Sequence, residues 1–141
     1  MKGKIDNFIP TVEFQLYGFH KDFTKTLIGI VDTGFNGFLK VPFVEAFPAG
    51  LILQGTETST IANGSQTTDL VCLGTVIMFD KSIPTLISVA PNCPILIGTQ
   101  LIKLLGLDVH FDFHNNILNF TESKKPGSIV PKPQNKASTK A

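Results

Sequence analysis

Leu27 to Pro42 reads LIGIVDTGFNGFLKVP. Aliphatic residues Leu27, Ile28, Ile30 and Val31 run up to Asp32-Thr33-Gly34, and a second apolar segment begins at Phe38 and stops at Pro42. Such runs predict a strand over 26–31 and a short one over 38–41, joined by a loop over 32–37. The first run is so uniformly apolar that cover on both faces is expected. A carboxylate therefore stands at the mouth of a turn between two strands. Burying it without partners is costly, so Asp32 is either a turn-former or a working group.

Around this stretch the chain reads as one domain. Its 141 residues suffice for a core, 43% of them are hydrophobic, and twelve glycines and nine prolines favour strands and turns over a helical bundle. The net charge of +1 provides no field for nucleic acid or a membrane surface. All twelve basic residues are lysine, so no bidentate arginine clamp for phosphate exists. Cys72 and Cys93 are too few for a disulfide framework or a four-thiolate zinc site. MKGKIDNFIP has no unbroken apolar core of a signal peptide, and no apolar stretch reaches the ~18 residues of a spanning helix. The expectation is a soluble cytoplasmic protein with free thiols.

Working outward, Val12, Phe14 and Leu16 alternate with Thr11, Glu13 and Gln15, predicting a half-buried strand over 9–17. Residues 18–25 form a polar turn. Residues 44–47 allow one helical turn, ended by Pro48. Residues 56–61 and 65–71 read as two arms of a hairpin around Ala62-Asn63-Gly64, since Asn-Gly between strand-formers is a strong hairpin signal. Further strands are expected over 73–79 and 82–89. Ile95-Leu96-Ile97-Gly98 predicts a short buried strand. TQLIKLLG then predicts a helix, with Thr99 as N-cap and Gly106 beyond its end. A last hairpin spans 107–120. From 121 onward Pro, Lys and Ser dominate, with five lysines against one glutamate, and a disordered tail over 121–141 is expected.

In order, an apolar run into Asp-Thr-Gly, a glycine-tipped hairpin, and Ile-Leu-Ile-Gly leading into a helix resemble the retropepsin-like aspartic proteases, above all their small prokaryotic single-domain members. The resemblance covers about residues 9–120. It implies an all-β, closed β-barrel with one short C-terminal helix. It implies an aspartic endopeptidase acting on peptide or protein substrates without cofactor or metal. Two carboxylates sharing one proton supply an acid and a base at one pH, because like charges ~3 Å apart cannot both ionise. This chain has a single Asp-Thr-Gly, so the resemblance implies a homodimer with Asp32 from each subunit. Thr33 would brace the partner loop, and Gly34 would present its N–H to the carboxylate. Phe35 and Asn36 complete the loop, where relatives carry small or hydroxyl residues; the Asn36 amide stands in as a donor. Ala62, Asn63 and Gly64 would form a flap over substrate. Ile95, Ile97 and Gly98 would support the loop from below, their apolar side chains helping to line the cleft.

A rival of another class is a noncatalytic dimeric module that binds extended peptides by strand addition under the hairpin. His110, Asp112 and His114 share one face of a strand, but residues spaced i, i+2, i+4 at ~3.3 Å per residue converge poorly on a metal. A solvent face is the better reading there.

Overall fold

The alternation over residues 9–17 becomes strand β2 (Ile9–Tyr17), whose Val12, Phe14 and Leu16 side chains enter the core while Glu13 and Gln15 face out. The computed structural model describes residues 1–124. It is an all-β fold with two short helices. The strands are β1 (Lys2–Asp6), β2, β3 (Lys25–Val31), β4 (Leu39–Pro42), β5 (Ile52–Thr60), β6 (Gln66–Met78), β7 (Lys81–Ala90), β8 (Leu96–Ile97), β9 (Leu107–Asp112) and β10 (Ile117–Glu122). Helix α1 is Phe43–Ala49 and helix α2 is Thr99–Leu104. The sheet order is β5-β6-β7-β4-β8-β3-β2-β1-β10-β9, and a further β6–β2 pairing joins Leu16 to Val76. That extra pairing closes a ring through β2, β6, β7, β4, β8 and β3. Leu16, Leu39, Val41, Val76, Met78, Ile87, Ile97, Leu101 and Leu118 fill it, each essentially inaccessible to water. Burial of each such side chain contributes about 1.5–3 kcal/mol.

Several elements depart from the sequence expectation. Strand β1 was not expected; it pairs with both β2 and β10. The β1–β2 turn puts Asn7 and Phe8 at φ of 49° and 66°, the primed geometry that matches strand twist and usually takes Asn-Gly. The two hairpin arms are longer than expected. Residues 65–71 and 73–79 merge into one strand, β6, because Cys72 stays in register with both Leu53 and Ile87. A second helix, α1, runs past Pro48 to Ala49, and Gly50 ends it in the left-handed conformation at φ 68°. Pro48 is tolerated because a helix this short has few interior N–H donors to lose. Strand β3 is covered on one face only: Leu27 and Val31 are buried, but Ile28 is 59% exposed, on the outward side opposite Glu13. Strand β10 runs on to Glu122. The tail expected over 121–141 lies, from 125, outside the described residues.

The β9–β10 turn does not arrange a metal face. Asp112 instead accepts from the Asn115 N–H at 3.0 Å and the Asn115 Nδ2 at 2.9 Å. These donors, the side chain first, hold its carboxyl below the usual aspartate range. A lowered native value stabilises the fold above the unfolded value and is lost as pH falls through the native one. Asp112→Ala is therefore expected to melt below the wild-type protein at about pH 7, with the gap narrowing by about pH 3. Thermal denaturation across that range checks it. An equal gap at both pH values would contradict the carboxylate's role.

Candidate active site

Asp32 is positioned by a strand laid between two others. Strand β8 pairs parallel with β3 through Ile30–Leu96 and Val31–Ile97, and antiparallel with β4 through Leu39–Ile97 and Lys40–Leu96. The loop 32–38 must therefore arch over the end of β8. The Asp32 N–H donates to the Ile97 carbonyl at 3.0 Å, so the backbone stays in the sheet up to the carboxylate itself. The chain then turns: Phe35 N–H donates to the Asp32 carbonyl at 3.1 Å, and Gly34 N–H to Asp32 Oδ1 at 2.9 Å. The side chain thus caps its own turn, and one carboxylate oxygen is committed to an amide.

Helix α2 holds the far side of the loop. Thr99 was expected as its N-cap. Instead Gly98 takes that place, and no side chain caps the helix. The first N–H groups of a helix have no partner inside it. Here the N–H of Thr99 donates to the Phe35 carbonyl at 3.0 Å and that of Gln100 to the Gly37 carbonyl at 3.2 Å. The Gln100 side-chain amide reaches the Asn36 carbonyl. Gly98 N–H donates to the Phe38 carbonyl at 2.9 Å. Four consecutive loop carbonyls are therefore pinned by residues 98–100, which leaves Asp32 on a rigid support.

The expected site residues separate into three places. Asp32 is half-buried and Thr33 is exposed, and both border an apolar pocket of about 560 Å³ with Phe8, Ile9, Pro10, Ile30, Phe111 and Phe113. Phe35 and Asn36 border a second pocket, of about 390 Å³, shared with Glu57 and Val71 of the hairpin stem. Ala62, Asn63 and Gly64 form the exposed hairpin tip and border neither pocket. The tip is shaped by the Asn63 side chain accepting from Ser65 N–H at 2.9 Å and by Gly64 at φ 87°. Ile97 is wholly buried beneath Gly29, so it carries the loop but lines no cleft; Ile95 packs partly on the core. The Asn36 amide makes no bond to Asp32 among the described residues.

Phe8, Phe111, Phe113 and Gln100 were not singled out in the sequence. An apolar residue inside a turn was the available signal at Phe8 and Phe113; Gln100 offered none. Burial pushes both Cys72 and Cys93 thiols up, opposite to what a nucleophilic thiolate needs. Among the described residues no cluster of His, Cys, Asp and Glu is fit to hold a metal, and no helix is long and apolar enough to cross a membrane.

A ring-closed sheet, a strand threaded beneath an Asp-Thr-Gly loop and a long glycine-tipped hairpin together make up the retropepsin-like fold. Among solved structures the chain is similar to the EIAV protease complexed with the inhibitor HBY-793, at 15% identity and a TM-score of 0.53, over 70% of this chain and 88% of that one. It is similar also to the Simian Foamy Virus (mac) protease, at 16% identity and a TM-score of 0.50, over 67% of this chain and 93% of that one. No protein-family model matches the sequence, and no curated protein does.

Proposed function

We propose that the protein is an aspartic endopeptidase, active as a homodimer in which two Asp32 carboxylates share one proton and activate a water against a peptide carbonyl. The single observation that carries this reading is Asp32 itself: a half-buried carboxylate at a strand end, given an amide by Gly34 and held on a loop pinned at four carbonyls. One chain supplies one such carboxylate, and the acid–base division of labour needs two close together.

The surface beside Asp32 supports a second copy. Thr33 is exposed and its hydroxyl has no partner among the described residues. Phe8 at 84% exposure, Ile9 and Phe113 present apolar surface on the same side. In the dimer the Thr33 hydroxyls brace the paired loops, and the hairpin tip at Ala62, Asn63 and Gly64 closes over an extended peptide or protein substrate. No cofactor, nucleic acid or membrane enters this reading, and a reducing cytoplasm suits the free Cys72 and Cys93 thiols.

The test is cleavage of unfolded polypeptides under mildly acidic conditions by wild-type and Asp32→Asn proteins, with mass measured in solution alongside. Cleavage confined to the wild type, together with a dimer mass, is the expected result. A strict monomer, or cleavage that survives in Asp32→Asn, would sink the proposal. Peptide binding without any turnover would favour the noncatalytic module instead.

A further inference from the structure

The pocket that joins the active-site loop to the hairpin stem is built from one sheet face. Glu57 and Asp69 are direct cross-strand partners on β5 and β6. Val71, two residues on, is paired with Ser88 of β7, and Ser88 with Lys40 of β4. Period-2 alternation puts Glu57, Asp69, Val71, Ser88 and Lys40 together on this face, while Cys72, Ile87, Leu39 and Val41 point into the core. The apolar walls of the pocket are Phe35, Phe38, Val71 and Leu86, and its volume is about 390 Å³.

The charges on this face do not balance. Carboxylates directly opposite each other across a strand pair repel. Lys40 neutralises one of them, its Nζ lying 3.2 Å from Asp69 Oδ2 in a partly buried pair. Glu57 has no cation among the described residues. Its Oε2 only accepts from Ser88 Oγ, at 3.0 Å. One anionic end and apolar walls, opening beside the loop that carries Asp32, match a side chain with an aliphatic stem and a cationic head.

We infer that this pocket selects a basic substrate side chain, lysine or arginine, with Glu57 as its counter-ion and Ser88 fixing the carboxylate. The inference rests on the protease reading, since it names the substrate class of that same site. Glu57 is a specificity determinant here and touches no reacting atom.

The test uses Asp32→Asn protein, so that binding is measured without turnover. The probes are fluorescent extended octapeptides, neutral except at one position, which carries lysine or its uncharged isostere norleucine and is moved along the peptide. At one position the lysine peptide is expected to bind about two- to fivefold tighter, the scale of a solvent-screened charge pair. Adding Glu57→Gln should bring that ratio close to one, and Glu57→Lys should turn the preference toward a glutamate peptide. Circular dichroism confirms that the variants fold. Equal affinities at every position, no binding of either peptide, or a lysine preference that survives Glu57→Gln would each overturn the inference. The protease reading fails separately, if the wild-type protein cleaves nothing that Asp32→Asn leaves intact.

Discussion

Gly98→Ala is expected to destabilise the protein by about 3 kcal/mol, lowering the melting temperature by about 10 °C. Gly98 is buried directly after β8, beneath the loop that carries Asp32. A Cβ there would run into the Gly37 carbonyl oxygen and carbon and lie 2.9 Å from Phe35 Cδ2. Backbone lies in the way, so no rotamer change relieves the clash. Relief requires moving the loop off β8, which breaks Gly98 N–H to Phe38 and strains Thr99 N–H to Phe35 and Gln100 N–H to Gly37. Those bonds hold the segment that follows Asp32, so activity should fall further than stability alone accounts for. Gly55→Ala is the control: a Cβ there meets nothing within 4 Å, and a change within about 0.5 kcal/mol is expected. Thermal melts of the two variants, beside wild type, check the difference. Equal melting temperatures would refute the close approach.

Asp32→Asn is expected to lower kcat/KM by at least about a thousandfold while leaving the melting temperature near that of wild type. The amide oxygen of asparagine can still accept from Gly34 N–H, so the turn survives. On the proposed mechanism, what is lost is the proton shared between two carboxylates. The proposed dimer gives this variant a second signature. When wild-type and Asp32→Asn chains exchange freely, a mixed dimer holds one carboxylate and is inactive. Activity should then follow the square of the wild-type fraction, with about a quarter left in an equal mixture rather than about half. A linear dependence would place the complete site within one chain.

Much of this architecture was legible in residue order. The alternation Val12-Phe14-Leu16 marked β2 to the residue, because one face of that strand is core and the other is water. Asp32 stood out because a charge at the end of an aliphatic run needs a reason, and Gly98 because it closes the short buried strand Ile95-Leu96-Ile97 that leads into a helix. Other features were not legible, each for a physical reason. Strand β1 is rich in lysine and glycine and becomes a strand only because β2 and β10 flank it. Helix α1 contains a proline that argues against it, and packing of Ala46 and Ala49 into the core decides otherwise. Ile28 looked buried because its neighbours are, yet its side of β3 faces outward.

By itself, the sequence determined the all-β class, the loop that carries Asp32 and the order of strand, hairpin, strand and helix. Those depend on local periodicity and turn chemistry, which are properties of neighbouring residues. Only the tertiary structure decided that Thr99 and Gln100 would give their helix N–H groups to the Asp32 loop, that Phe8 and Phe113 would border Asp32, and that Glu57 would lie beside Ser88 and opposite Asp69. These contacts join residues far apart in the chain. Strand register and ring closure bring them together, and neither is written in any single stretch.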